Sequence, residues 1–265
     1  MAKPDYSSKE MTNLRTNRVL LIYTGGTIGM GKNPNTGALE PLDFNQLISC
    51  LPELSMLRTS IESYQFTHPI DSSDMSPRFW SQLVRIIAER YDKYDGFVIL
   101  HGTDTMAYTA SALSFMLENL TKPVILTGSQ LPINQVRTDG KENLITSIEI
   151  ASAKDPEGHP RVPEVSIFFN SKLLRGNRSI KISSEDFSAF KSPNCPPLAE
   201  AGISIKYNDS VIRRPLDWDE HLRISTNLDT RVSILKIHPG ITPQVVRNIL
   251  CGEETRAVII EHYSH

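Results

Sequence analysis

The feature that most constrains the fold is a succession of short apolar runs that alternate with amphipathic stretches. Residues 18–23 (RVLLIY) and 97–100 are almost continuously apolar, as in strands that are buried on both faces of a parallel sheet. Between them, Ser76 and Pro77 offer an N-cap and a first-turn proline for a helix. A second helix should place four apolar residues on one face: Leu113, Met116, Leu117 and Leu120. This alternation predicts an α/β fold with a doubly wound, mostly parallel sheet.

The rhythm breaks at residues 207–230, which are polar, rich in Asp and Arg, and without a clear period. Beyond this stretch we predict a strand at residues 232–237, a helix at 242–250 and a strand at 257–261. The sequence therefore predicts three parts, namely an N-terminal domain with the active-site loops, a linker and the start of a smaller C-terminal α/β domain. Their limits are residues 1–206, 207–230 and 231–265.

Composition narrows the classes of partner. The net charge is −2 and the sequence contains no block of Lys or Arg, which argues against nucleic acid and favours a small-molecule substrate. No stretch approaches the roughly 18 apolar residues of a membrane helix, and residues 1–18 do not resemble a signal peptide. Cys50, Cys195 and Cys251 are far apart, so we expect free thiols and a cytoplasmic location.

The segments that follow the predicted strands are rich in hydroxyl groups and glycine. In an open α/β sheet, ligands bind at the carboxyl ends of the strands, so these segments are the candidate site. There are four such loops: Thr24-Gly25-Gly26-Thr27-Ile28-Gly29, Asp71-Ser72-Ser73-Asp74, His101-Gly102-Thr103-Asp104-Thr105 and Thr127-Gly128-Ser129-Gln130. Each loop alone is explained by helix capping. Four such loops that converge at one edge of the sheet favour a ligand-binding site.

A phosphate-binding turn is a competing interpretation of the first loop. It lacks both the G-x-G-x-x-G spacing and the lysine of a P-loop. Nucleotide binding is therefore disfavoured.

The combination of these loops resembles the asparaginase/glutaminase family. The pair T-G-G-T-I-G and H-G-T-D-T-M is highly specific, and D-S-S-D-M, KPVILTGSQ, RGNR-x-x-K and SPN extend the match. The resemblance is closest to the type I, cytoplasmic L-asparaginases and runs from Val19 to about Glu261. It implies hydrolysis of L-asparagine to aspartate and ammonia, without a metal or cofactor, by a homodimer or homotetramer.

The resemblance also implies roles for individual residues. Thr27 would be the primary nucleophile, and Thr103, Asp104 and Lys181 would form the second catalytic group. Asp104 would in addition meet the substrate's α-ammonium group, with Thr103 beside it. Ser72 and Ser73 would hold the α-carboxylate, and the Ser129 backbone would lie near the scissile amide.

These residue types suit the chemistry. A threonine hydroxyl becomes a nucleophile when a base removes its proton, and an acyl ester then forms. A deprotonated lysine can serve as that base, and backbone N–H groups of the glycine-rich turns can form an oxyanion hole. We expect His101, the one histidine in these loops, to be a packing residue rather than a base.

The sequence departs from the family pattern in two places. The segment at residues 31–41 contains no tyrosine, although family members often carry one there that activates the first threonine. Ala38 or Leu39 falls nearest that position, which leaves another tyrosine or a water to take its place. The motif G-x-G-N-A-P is also absent after residues 257–261, where the chain reads His262-Tyr263-Ser264-His265. We therefore expect a family member that is truncated in its C-terminal domain.

Other functions compete with asparagine hydrolysis. Glutamine turnover is a plausible neighbour, since one methylene group discriminates by only about 1–3 kcal/mol. A tRNA-dependent amidotransferase subunit shares the motifs but needs an RNA-binding extension and a basic surface. The alternative from a different class is a truncated, inactive or partner-dependent protein that at most binds aspartate or a full-length partner. Separately, we expect the chain alone to be poorly stable or weakly active, to aggregate as its concentration rises and to be cut early by proteases in residues 207–230.

Overall fold

A computed structural model describes residues 16–32, 37 and 39–263, and the chain divides into two compact units, Met1–Thr226 and Asn227–His265. The α-helices of the described residues are α1 (Phe44–Ser49), α2 (Pro77–Arg90), α3 (Met106–Met116), α4 (Gly140–Ser152) and α5 (Pro243–Leu250). The strands are β1 (Asn17–Tyr23), β2 (Met30–Lys32), β3 (Leu39–Pro41), β4 (Thr59–Gln65), β5 (Gly96–Leu100), β6 (Leu117–Glu118), β7 (Val124–Thr127), β8 (Val165–Phe169), β9 (Lys172–Arg175), β10 (Ile180–Lys181), β11 (Phe190–Lys191), β12 (Ala199–Ala201), β13 (Ile205–Tyr207), β14 (Arg223–Ile224), β15 (Val232–Lys236) and β16 (Ala257–Glu261).

The first unit is built on one eight-stranded sheet with the order β13-β12-β9-β8-β7-β5-β1-β4. Strands β4, β1, β5, β7 and β8 are parallel to their neighbours in this row. Beyond β8, the strands β9, β12 and β13 continue the sheet in antiparallel fashion. The prediction of a mostly parallel sheet is therefore confirmed.

Helices cover both faces of this sheet. Alternate side chains of β1 belong to opposite hydrophobic clusters, because successive strand residues point to opposite faces. Val19, Leu21 and Tyr23 pack in the cluster that contains residues of α1 and α4. Leu20 and Ile22 pack in the cluster that contains residues of α2 and α3. The sheet is therefore doubly wound, as predicted.

The second unit contains a strand, a helix and a strand. β15 and β16 pair in parallel, and α5 connects them in the chain. The Thr242 hydroxyl oxygen caps the helix by accepting a hydrogen bond from the Val245 nitrogen, and Pro243 occupies the first turn. This is the α/β unit predicted for the C-terminal part. Among the described residues, no helix combines the length and the apolar character needed to cross a membrane.

The second helix predicted from the sequence corresponds to α3, and the prediction is wrong at its C-terminal end. α3 ends at Met116, and Leu117 lies in β6, which pairs with β14. Leu120 is also outside the helix, because Asn119 adopts a left-handed conformation with φ 59°. Long-range strand pairing has overridden the helical spacing of these leucines.

Part of the expected linker belongs structurally to the first unit. The Arg175 guanidinium donates to the Val211 carbonyl at 2.7 Å, and the Arg213 nitrogen donates to Glu164 at 2.7 Å. β14 lies in the same stretch. The domain limits drawn from the sequence stay a prediction, but residues 207–226 are not a free tether.

Candidate active site

The first strand-end loop is shaped by two glycines with positive φ. Gly25 has φ 131° and Gly26 has φ 92°, a region that side chains with a β-carbon rarely adopt. A β-carbon on Gly25 would lie 2.3 Å from the Ile70 carbonyl oxygen, and one on Gly26 would lie 2.5 Å from the Gly102 nitrogen. The loop therefore packs backbone against backbone with two neighbouring loops, and it leads into the short 3₁₀ turn Thr27–Gly29.

Hydrogen bonds hold the loops at the carboxyl edge of the sheet. The Thr24 hydroxyl donates to the Leu100 carbonyl at 2.8 Å, and the Ile70 nitrogen donates to the Thr24 carbonyl at 2.7 Å. The Thr105 hydroxyl donates to the Ser72 carbonyl at 2.6 Å. The loops after β1, β4 and β5 are thus fixed to one another.

The three loops enclose a cavity of about 140 Å³. Thr27 comes from the first loop, Ser72 from the second, and Thr103 and Asp104 from the third, and all four line this cavity. Ser72 and Thr103 are buried, whereas Asp104 is exposed. Four of the residues named from the sequence therefore meet at one place.

Lys181 approaches Thr103 and Asp104 from β10. Its Nζ donates to the Thr103 Oγ1 at 2.8 Å and to the Asp104 Oδ1 at 2.7 Å. The Thr103 hydroxyl in turn donates to the Gln130 Oε1 at 3.4 Å. The lysine side chain is 17% exposed and the aspartate side chain 63%. The amine is therefore held against the threonine hydroxyl at the rim of the site.

Three residues named from the sequence lie outside the lining of this cavity: Lys181, Ser73 and Ser129. The Ser73 hydroxyl donates to the Asp71 Oδ1 at 2.9 Å, and the Ser129 hydroxyl donates to the Leu131 carbonyl. The roles expected for Ser73 and for the Ser129 backbone stay predictions. Of the positions expected to carry the activating tyrosine, Ala38 is outside the described residues.

Among the lining residues that received no role from the sequence, two have ionisable side chains, Asp71 and Tyr23. The Ser73 backbone N–H, followed by its hydroxyl, lowers the pKa of the Asp71 carboxyl. Asp71 belongs to the D-S-S-D motif and caps the turn Ser72–Asp74, so the motif could have identified it as a residue of the site. Tyr23 ends an apolar strand and is typical of a core residue. Burial raises the pKa of its phenol to about 12.

His101 lies behind the third loop. Its Nδ1 is 2.7 Å from the Gly102 carbonyl, and its Nε2 is 2.8 Å from the Thr109 Oγ1, which also accepts from the Trp80 indole at 2.9 Å. Since the Gly102 carbonyl can only accept, Nδ1–H donates to it, and the Nε2 of the neutral imidazole accepts from the Thr109 hydroxyl. Burial lowers the pKa of His101 to about 4. A neutral imidazole with both nitrogens bonded fits the predicted packing role.

No group of three or more His, Cys, Asp or Glu side chains in the described part of the chain could hold a metal ion. The polar side chains that line or border the cavity supply hydroxyl groups, an amine and carboxylates.

The chain is similar to proteins of known family over most of its length. The family model described as "Asparaginase, N-terminal" matches residues 18–213. The chain is 42% identical to L-asparaginase 1 of Escherichia coli (strain K12) over 252 residues, which cover 92% of this chain and 70% of that protein. It is 38% identical to the 60 kDa lysophospholipase of Mus musculus, with 88% and 44% covered.

A solved structure agrees with this assignment. The fold is similar to that of L-asparaginase I from Vibrio cholerae O1 biovar eltor str. N16961, with a TM-score of 0.83 and 40% identity. The match covers 94% of this chain and 72% of that chain. The chain belongs to the asparaginase family.

Proposed function

We propose that this protein is an L-asparagine amidohydrolase that releases aspartate and ammonia. The observation that carries the proposal is the contact of Lys181 with Thr103 and Asp104 beside a cavity that Thr27 also lines. Two threonines, Thr27 and Thr103, and the carboxylates of Asp71 and Asp104 line a space of about 140 Å³, and the Lys181 amine contacts Thr103 and Asp104. A site of this size suits a small amide.

In the first step, the Thr27 hydroxyl oxygen attacks the carbon of the substrate's side-chain amide. The C–N bond breaks, the hydroxyl proton leaves with the nitrogen as ammonia, and a threonyl ester remains. The backbone of the turns at Gly26–Thr27 and Gly102–Thr103 lines the cavity, where its N–H groups would stabilise the oxyanion. One such donor typically contributes about 10²–10³ in rate.

In the second step, water hydrolyses the ester. A deprotonated Lys181 would accept the proton of the Thr103 hydroxyl, 2.8 Å away, while that hydroxyl accepts the proton of the attacking water. The water oxygen bonds to the acyl carbon, the ester bond to Thr27 breaks, and the proton held by Lys181 passes back through Thr103 to the Thr27 oxygen, which restores the hydroxyl and the neutral amine. Asp104 would bind the substrate's α-ammonium group, and Ser72 and Ser73 its α-carboxylate.

The test is ammonia release by the purified chain and by the variants Thr27→Ala and Thr103→Val. We expect kcat to fall by roughly 10²–10⁴-fold or more in each, the scale of acid–base and nucleophilic catalysis, with KM changed little. Thr146→Val is the matched control, because Thr146 is also buried but lies on α4. It should keep the parent rate.

Two results would count against the proposal. A parent chain without ammonia release would support the alternative of an inactive or partner-dependent protein. A variant that kept more than a tenth of the parent rate would remove that threonine from the mechanism.

We further propose a cytoplasmic homodimer or homotetramer. All three cysteines are free, which fits a reducing compartment. Large apolar side chains are exposed on the first unit, among them Tyr108 and Ile182, which line a cavity together with Asp104 and Lys181, and exposed apolar patches commonly mark protein–protein contacts. Light scattering across a concentration series would measure the state and would also detect the self-association expected from the sequence.

A further inference from the structure

We infer that Tyr23 is a positioning residue for Thr27, through the contact of its phenol with the turn Thr27–Gly29. The inference rests on the proposed function, in which Thr27 is the nucleophile. It concerns the support of Thr27 in a chain whose residues 31–41 lack the tyrosine that family members often carry there.

The phenol is bonded to the last residue of the turn. Tyr23 is the final residue of β1 and donates from its hydroxyl to the Gly29 carbonyl at 3.1 Å. The Gly29 nitrogen donates to the Gly26 carbonyl at 3.1 Å, which closes the turn around Thr27. The turn is thereby connected to the rigid sheet two residues after the nucleophile.

The ring also packs directly against the turn. A β-carbon on Gly29 would lie 2.1 Å from the Tyr23 hydroxyl oxygen and 2.4 Å from Cζ, so only a glycine allows this approach. Tyr23 is 1% exposed and lines the same cavity as Thr27. A side chain enclosed in this way has little freedom to move, and the turn that rests on it shares that restriction.

The phenol acts here as a donor. Burial raises the pKa of Tyr23 to about 12, so the hydroxyl keeps its proton at any ordinary working pH. Its proton points to the Gly29 carbonyl. Tyr23 therefore holds the turn that carries Thr27 rather than taking up the proton of the reaction.

The contact can be removed without leaving the carbonyl unpaired. The Gly29 carbonyl also accepts from the Leu42 nitrogen at 2.7 Å. Tyr23→Phe removes one hydroxyl, keeps the ring and leaves that second bond in place. The variant should therefore fold, and its main effect should be a loosened turn.

The experiment compares Tyr23→Phe with the parent and with Tyr91→Phe. Tyr91 is the control, because its buried hydroxyl is also bonded to the backbone, as the acceptor of the Thr121 N–H, and Tyr91 does not line the cavity. For Tyr23→Phe we expect kcat on L-asparagine to fall about tenfold or more, since small misplacements of a reacting group have large effects on rate. KM should stay within about threefold and the pH profile of kcat should keep its shape. Amide hydrogen exchange should become faster at residues 27–30. Tyr91→Phe should lower the melting temperature and keep the parent kcat.

Three outcomes would overturn the inference. Unchanged kcat with unchanged exchange at residues 27–30 would show that the contact does not position Thr27. A changed pH profile would indicate that the phenol exchanges protons in the reaction. An equal loss of kcat in Tyr91→Phe would indicate a general effect of stability. If the parent itself released no ammonia, the proposed function would fail, and the exchange measurement would still judge the contact of Tyr23 with the turn.

Discussion

Lys181 is held by two partners that make different demands on it. Asp104, whose Oδ1 is 2.7 Å from Nζ, forms an ion pair with the amine. A role as base towards Thr103 requires the neutral amine. Lys181 is thus both the ion-pair partner of Asp104 and the proposed base for Thr103, and substitutions at this position can tell the two roles apart.

Two substitutions separate charge from proton transfer at this position. Lys181→Met should abolish ammonia release, and Lys181→Arg should do so as well, because arginine keeps the charge but does not deprotonate. An active Lys181→Arg variant would show that Lys181 acts only as a charge.

His101 makes the stability of the protein depend on pH. Its pKa of about 4 in the folded chain lies below the ordinary value of about 6.5, so the unfolded chain binds more protons between these values. The contribution of this residue is complete above about pH 6.5 and is lost as the pH falls towards 4. The difference corresponds to roughly 3 kcal/mol.

The melting temperature should therefore fall between about pH 6.5 and 4, and His101→Gln should flatten that part of the curve. His68→Gln is the control, because His68 is exposed and its replacement should leave the parent's slope intact. Equal slopes in the parent and in His101→Gln would assign the acid sensitivity to other groups.

At the scale of elements, the site depends on loops that meet through glycine backbones. Gly26 and Gly158 have almost the same φ angle, 92° and 90°. A β-carbon on Gly26 would lie 2.5 Å from the Gly102 nitrogen, whereas one on Gly158 would meet nothing within 4 Å. The two positions can be compared directly. An alanine would be strained by the positive φ at either position, but only at Gly26 would its β-carbon also clash with neighbouring backbone.

Gly158→Ala should cost about 1–2 kcal/mol, the strain of a left-handed alanine, and should keep the parent kcat. Gly26→Ala should lower the free energy of unfolding further and should also remove activity, since the loops with Thr27 and Thr103 must separate. Chemical unfolding and ammonia release measure the two effects. Equal losses of stability with full activity in both variants would show that the loops need not touch.

The central strands and their loops were predictable, because both signals are local in sequence. β1, β5 and β7 are short apolar runs, and polar or glycine residues follow each of them. Tyr23 was not predictable as a site residue, since its role arises from a turn six residues later that folds back on it. The β6–β14 pair was also missed, because it joins segments about a hundred residues apart that carry no strand periodicity.

At the scale of the whole molecule, the antiparallel part of the sheet escaped prediction for a related reason. β9, β12 and β13 contain only three or four residues each, too few to show an alternating pattern. Their pairing is set by the edge of β8 rather than by their own composition. The polar character that indicated a linker at residues 207–230 is, in its first part, the surface of a folded unit.

That distinction predicts where a protease cuts first. Up to Thr226, the segment is tied to the first unit, since the Ser225 nitrogen donates to the Met116 carbonyl at 2.9 Å and the Ser81 hydroxyl donates to the Thr226 carbonyl at 2.9 Å. Residues 227–230 are exposed and have no regular secondary structure. Cleavage requires a locally open backbone, so a broad-specificity protease should cut first within residues 227–231 and leave a fragment that ends near Thr226.

Mass spectrometry of the earliest fragments locates the cut, and the turn at residues 155–158 is an internal control. That turn also has exposed residues, but its backbone is bonded, with the Gly158 nitrogen donating to the Asp155 carbonyl at 3.0 Å. It should therefore survive longer than residues 227–231. First cleavage within 208–222 would mean that this stretch detaches from the first unit in solution, and that the sequence-based linker describes the molecule better than the contacts of Arg175 and Arg213 do.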